Sequence, residues 1–301
     1  MNAPRRPPRR RVDGVLLLDK PLGMTSNAAL QAVRRLLNAE KAGHTGTLDP
    51  LATGLLPLCF GEATKFAGEL LDADKTYDAV VRLGIRTDTG DAEGRVIETR
   101  PVVVSEHEAD AALARFVGEI TQIPPMHSAL KRDGRPLYEY ARQGLEVDRA
   151  PRRVTIHGIE KLCASREDLT LRVRCSKGTY IRTLAEDIGR FLGCGAHLAG
   201  LRRTGIGDLL IDDALTLADM ESRTYDQRDA GLAPPDALLQ GLPAIRLDEQ
   251  EAGRILHGQA VESSDDTEGR VRIYCGNRFL GLGLADSDGL VRPRRLISSL
   301  R

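Results

Sequence analysis

Eight consecutive residues bring together the groups a small active centre needs: Gly43-His44-Thr45-Gly46-Thr47-Leu48-Asp49-Pro50. The glycines let another backbone or a ligand approach closely, and Pro50 stiffens the turn. Between them stand a histidine, two threonine hydroxyls and one carboxylate, Asp49. A lone carboxylate can serve as nucleophile or base without a metal. It can also do no more than cap the turn that follows. Other constellations carry less. Ser128-Ala-Leu-Lys131 fits the S-x-x-K pattern of serine acylases, but Lys177-Gly178-Thr179 is in the wrong order for K-T-G, and no S-D-N occurs. Acyl transfer through Ser128 is therefore an outside alternative. Asp88-Thr89-Gly90 lacks the second copy that a proton-sharing carboxylate dyad needs. There is no P-loop and no G-x-G-x-x-G after a strand. The six histidines show no H-x-x-x-H spacing, so no metal site is expected.

The elements that must hold this loop follow from periodicity. Residues 14–19 read as a buried strand, and Ser26 as the N-cap of a helix reaching residue 37, with Ala29, Leu30, Val33, Leu36 and Leu37 on one face. Residues 56–60 read as a strand, 62–70 as a helix and 76–83 as a strand. Ser105 with Glu108 makes a capping box for a helix to residue 117. Residues 121–150 break all periodicity, apart from a short helical stretch at 137–142. An irregular excursion of that length inside a domain usually serves function. Strands at 154–162, 169–175 and 196–203 and a helix at 181–192 complete the first part. After a Pro- and Gly-rich break at 234–243, short apolar runs predict a small β-rich module.

The chain has 301 residues, 43 basic against 43 acidic, and 41% of its residues are hydrophobic, enough for a sizeable core. No apolar run approaches the ~20 residues a membrane helix requires. Five cysteines without a C-x-x-C pair argue against a disulfide framework and for a reducing cytoplasm. The zero net charge hides segregation. Residues 1–11 hold five arginines and no acid, residues 130–153 seven basic groups against four acids, and residues 211–240 seven acids against two arginines. That distribution permits a basic face for a polyanion, and also permits nothing beyond solvated surfaces. With eleven aromatic residues and no Trp, a broad aromatic stacking platform is not expected.

A series of segments runs through residues 14–26, the 43–50 loop, Gly61-Glu-Ala-Thr-Lys65, Lys75-Thr-Tyr77 and Thr87-Asp-Thr-Gly-Asp91. It continues through residues 122–131, Lys177-Gly-Thr-Tyr-Ile-Arg-Thr-Leu184 and Leu201-Arg-Arg-Thr204. In this order the segments resemble those of the bacterial TruB-type tRNA pseudouridine synthases. The resemblance implies an α/β (α+β) fold. A catalytic domain at 13–241, built on a mixed, mainly antiparallel sheet, would carry a basic RNA-binding loop at 124–153. A small β-barrel-like, PUA-type module would occupy 242–301, and residues 1–12 would be a disordered Arg/Pro-rich tail.

The same resemblance implies isomerisation of the T-loop uridine at tRNA position 55 by base flipping, with no cofactor, by a monomer in the cytoplasm that binds the tRNA T-arm. Asp49 would be the catalytic carboxylate, acting on the base, on the sugar, or as a base near C2′. Arg182 would be its cation, and Tyr77 the aromatic packed on the target base. Tyr180 and Leu201 would line the uracil pocket, and His44 would contact the RNA loop. Lys20 and Lys65 would shape or charge the rim, and Arg149, Arg152 and Arg153 would meet phosphates. The alternative is a catalytically silent RNA-binding or RNA-folding protein on the same scaffold.

Overall fold

The run Ala52–Phe60 is buried along almost its whole length, as a strand covered on both faces must be. The chain is organised around it. In the computed structural model, which describes residues 8–128, 130–263 and 267–298, it belongs to a ten-stranded sheet. The strands are β1 (Gly14–Lys20), β2 (Ala42–His44), β3 (Ala52–Phe60), β4 (Lys75–Leu83), β5 (Gly118–Gln122), β6 (Arg152–Ala164), β7 (Asp168–Cys175), β8 (Ala196–Ile206), β9 (Leu209–Leu210) and β10 (Leu215–Thr216). Their order is β10-β1-β3-β8-β4-β7-β6-β5, with β2 on β3 and β9 on β8. Only β1–β10 and β3–β8 are parallel, so the sheet is mixed and mainly antiparallel, as expected.

Helix α1 (Ser26–Leu36) buries Ala29, Leu30 and Val33 against this sheet. Its N-cap is Thr25, whose Oγ1 accepts from the Ala28 N–H at 3.1 Å, one residue earlier than the sequence suggested. Helices α2 (Glu106–Arg115), with the Ser105–Glu108 capping box, and α4 (Ile181–Phe191) pack on the sheet around Leu113, Leu184 and Ile188. Between them lies the short α3 (Leu137–Arg142). The stretch 62–70 forms two 3₁₀ turns, Gly61–Lys65 and Ala67–Leu70, in place of an α-helix. Ala63 and Phe66 are buried three residues apart, which is the 3₁₀ period. The irregular excursion leaves the sheet at Gln122 and returns at Arg152, directly opposite it in register. Its described residues carry the small hairpin Lys131–Arg132/Arg135–Pro136 and α3.

A second sheet follows, built from β11 (Ala244–Leu247), β12 (Val261–Glu262), β13 (Gly269–Cys275), β14 (Arg278–Ala285) and β15 (Leu290–Leu296), ordered β11-β13-β14-β15-β12. It is joined to the first by a shared apolar cluster holding Phe66, Leu70 and Leu238 together with Leu282 and Ile297. Residues 10 and 12, expected within a disordered tail, are seated on the first sheet's side of the chain. Arg10 bridges to Ala39 and ion-pairs with Asp229 of the acidic 211–240 stretch, and Val12 enters the cluster around Phe60. The rest of that expectation, residues 1–7, lies outside the described residues. Among the described residues no helix is long and apolar enough to cross a membrane, and no group of three or more His, Cys, Asp or Glu side chains could hold a metal. All five cysteines are free thiols.

Candidate active site

Asp49 sits in the loop between β2 and β3, and the loop is tied from several sides. The Ser26 hydroxyl bonds both backbone groups of Leu48, the Gly23 N–H donates to the Pro50 carbonyl at 2.9 Å, and the Thr45 N–H donates to Pro57 at 3.1 Å. Leu48 is buried, which anchors the loop while leaving the neighbouring carboxylate about half exposed, at 54%. The Asp49 Oδ2 accepts from Arg182 Nη2 at 2.5 Å.

Arg182 lies in the first turn of α4 and is itself buried. Its Nε pairs with Asp91 Oδ2 at 3.1 Å, and it also donates to the carbonyls of Thr89 and His127, at 3.4 and 3.2 Å. Asp91 is fixed in turn: its Oδ1 accepts from the Thr89 hydroxyl at 2.6 Å and the Glu93 N–H at 3.1 Å. One guanidinium therefore joins a buried carboxylate to an open one, and its planar fork fixes the orientation of Asp49.

The pair opens onto a cavity of about 180 Å³ whose walls include Asp49, Tyr77, Ser128, Tyr180, Arg182 and Leu201. That is below the ~300–1,000 Å³ of ordinary ligand pockets and suits one small ring. A groove of about 590 Å³ runs beside it, past His44, Asp49 and Asp91 to Tyr138 and Arg142 on α3. Tyr180 is held by Gln122, whose side chain accepts from its N–H at 3.0 Å and donates to its carbonyl at 3.2 Å. Burial pushes the Tyr77 and Tyr180 hydroxyls above their ordinary pKa, and burial with the nearby Arg203 holds His44 below its own. Both tyrosines enter the site as phenols and His44 as neutral imidazole.

Curated relatives include tRNA pseudouridine synthase B of Aromatoleum aromaticum, 60% identical over 97% of this chain and 95% of that protein. The protein of that name from Burkholderia mallei is 59% identical over 96% of this chain and 98% of its own length. The chain belongs to the TruB pseudouridine synthase family. Family models for the TruB pseudouridylate synthase N-terminal domain match residues 34–181, and for two TruB C-terminal domains residues 182–242 and 243–297. Among solved structures, a Cbf5–Nop10–Gar1 complex is 30% identical with a TM-score of 0.70, over 92% of this chain and 79% of that one. An H/ACA ribonucleoprotein bound to a substrate RNA containing 2′-deoxyuridine is 27% identical with a TM-score of 0.71, over 94% and 84%.

In this TruB family member the structure gathers Asp49, Tyr77, Arg182, Tyr180 and Leu201 around one cavity, with His44 on the adjoining groove. It does not place Lys65 there, and Lys20 lines neither space, although its ammonium is near enough to Asp49 for the two charges to attract. Lys20 is fully buried and donates to the carbonyls of Pro21 and Met24, at 2.9 and 2.6 Å, so it braces the turn before α1. Burial brings its pKa down to about 8. Lys65 lies at the junction with the second sheet, bonded to Glu62, to the Leu296 carbonyl and to Ser298 at 2.7, 2.9 and 2.5 Å. A lysine with three acceptors there contacts no substrate at Asp49.

The three arginines expected on phosphates are not equivalent. Arg149 folds back onto Glu146 and the Pro124 carbonyl, at 3.2 and 3.1 Å, and Arg153 pairs with Glu119 at 3.2 Å. Arg152 is exposed, makes no ion pair among the described residues, and faces Tyr180 closely enough to favour its ionised form. Ser128 is buried while Lys131 is exposed, so the S-x-x-K pair of an acylase is not assembled. Sequence reasoning also missed Ser26, Asp91 and Gln122 as supports. Asp91 stood inside the Thr87–Asp91 segment, and that was its only signal.

Proposed function

We propose that this chain converts the T-loop uridine at tRNA position 55 to pseudouridine, acting as a monomer in the cytoplasm. The observation that carries the reading is the Asp49–Arg182 pair at 2.5 Å, opening beside Tyr77 onto a cavity sized for a single pyrimidine ring. Relatives named tRNA pseudouridine synthase B at 60% identity support the choice of tRNA.

The reaction breaks the N1–C1′ bond, turns the uracil, and joins C5 to C1′. The proton lost from C5 is matched by one gained at N1, so nothing is consumed. A stacked nucleotide cannot reach so closed a cavity, and the uridine enters flipped out of the loop. Asp49 then acts at C1′, on the base, or on the C2′ proton. All three routes need an ionised carboxylate with a free oxygen. Arg182 occupies and orients Oδ2, and Oδ1 has no protein partner among the described residues. Leu201 and Tyr77 hold the ring, while the groove toward Tyr138 and Arg142, with the exposed Arg152, receives the T-arm backbone.

Incubating the full-length protein with unmodified tRNA transcript and mapping pseudouridine tests this. The expected product is pseudouridine at the T-loop site. Folded protein that binds the transcript without forming it would establish the silent RNA-binding alternative.

A further inference from the structure

Arg203 is 1% exposed, yet no carboxylate pairs with it among the described residues. Its Nε donates to the Leu55 carbonyl at 2.8 Å and its Nη2 to the Gly46 carbonyl at 2.9 Å. An unpaired guanidinium is costly to bury, so stability alone does not account for it.

Two neighbouring glycines admit this residue, one its backbone and one its side chain. Arg203 stands in β8 directly between Gly54 of β3 and Tyr77 of β4, its register partners on either side. Gly54 has φ +99°, and a Cβ there would lie 2.3 Å from the Arg203 carbonyl oxygen. Gly46, inside the Asp49 loop, has φ +70°, and a Cβ there would press on Arg203 Nη1 at 3.1 Å. Gly54 makes room for the β8 backbone and Gly46 for the guanidinium, which touches the loop that carries Asp49 while Arg203 pairs with Tyr77 across the sheet.

We propose that Arg203 is a positioning residue for the isomerisation: it ties the Asp49 loop to the Tyr77 hydroxyl across the sheet, so that carboxylate and phenol meet the base in one fixed relation. This rests on the reading above of the chain as a pseudouridine synthase. Its charge has a second effect. Burial drives the Tyr77 hydroxyl toward its neutral form, with Cys175 and Asp49 acting in the same direction, and Arg203 alone opposes them.

The test uses full-length protein, unmodified tRNA transcript and single-turnover kinetics. Pseudouridine formation by the wild type comes first, because its absence would refute the enzymatic reading and not the role of Arg203. Arg203→Gln should then lose about a hundredfold or more in rate with tRNA affinity within about threefold, the pattern of an interaction that acts on the chemical step. The alkaline limb of its rate–pH profile should move upward by about half a unit or more, since a cation that favoured the ionised phenol is gone. Arg203→Lys keeps the charge and loses the fork, so the limb should return while the rate stays about tenfold low. Gly46→Ala keeps the charge and displaces the contact, and should lower the rate without moving the limb. A folded Arg203→Gln within about threefold of the wild-type rate would overturn the proposal. So would affinity that falls in step with rate, or a limb that is absent or unmoved. Should Arg203→Gln not fold, wild-type rates in Gly46→Ala would overturn it alone.

Discussion

Ser26 and Leu48 exchange two hydrogen bonds: the Ser26 hydroxyl donates to the Leu48 carbonyl at 3.0 Å and accepts from the Leu48 N–H at 2.8 Å. A side chain on α1 thereby takes the place of a strand partner for the residue just before Asp49. Ser26→Ala strands both backbone groups in a buried site, at a cost of about 1–3 kcal/mol. We expect a lower denaturation midpoint and a slower single-turnover rate, with both recovered in Ser26→Thr. Coincident urea curves for wild type and Ser26→Ala would show that the clamp contributes nothing.

The two carboxylates on Arg182 should separate on mutation. Asp49→Asn removes the reactive charge from a half-exposed side chain and should abolish turnover while tRNA still binds. Residual activity within about tenfold of wild type would exclude Asp49 as the reacting group. Asp91→Asn breaks a buried pair, a class of change that costs about 3–5 kcal/mol. It should lower both the melting temperature and the rate, leaving tRNA affinity in place. Measuring both quantities for both variants distinguishes a reacting carboxylate from a supporting one.

Lys20 gives a pH signature in stability. Its pKa falls to about 8 in the folded chain from 10.5 in the unfolded one. Between those values the unfolded chain binds more protons, so stability attributable to this residue rises with pH across that window. The full difference amounts to about 3 kcal/mol. Lys20→Met should lack this rise. Urea unfolding of both proteins at pH 7.5 and pH 10 checks it, and parallel changes in the two would refute the assignment.

Salt dependence should distinguish the basic residues of the excursion. Each phosphate contact contributes about 0.7–0.9 to the slope of log K against log salt. Arg152→Gln should reduce that slope by about one contact, because its guanidinium is exposed and makes no ion pair among the described residues. Arg149→Gln should leave it nearly unchanged, since Arg149 is engaged by Glu146 and Pro124. Equal slopes for wild type and Arg152→Gln would remove Arg152 from the interface.

The frame was legible where periodicity was strong. The strand ending at Lys20, the α1 face of Ala29, Leu30 and Val33, and the segment of α4 with Leu184 and Ile188 follow directly from apolar spacing. Asp49, Tyr77 and Arg182 were legible as a set only through the order of motifs, because the sheet brings them together across more than a hundred residues of chain. Strand β5 was missed because Gly118-Glu-Ile-Thr-Gln122 is a half-exposed edge with weak alternation. Lys65 was misplaced because a charge in a motif does not say which surface it faces. Arg203 was invisible: nothing in Leu201-Arg-Arg-Thr204 tells a buried guanidinium from its neighbour Arg202, which pairs with Asp19 near the surface at 2.7 Å.

The apolar cluster shared by the two sheets should couple their unfolding. Phe66 meets Phe279 edge to face at 5.4 Å, and Lys65 closes the seam over it by binding Leu296 and Ser298. Severing the chain near residue 241 would strip the cover from Phe66, Leu70 and Leu238, leaving a sticky apolar scar on the larger fragment. The intact chain should therefore melt in a single calorimetric transition, with the second sheet serving as a structural lid for the first as well as an appendage to it.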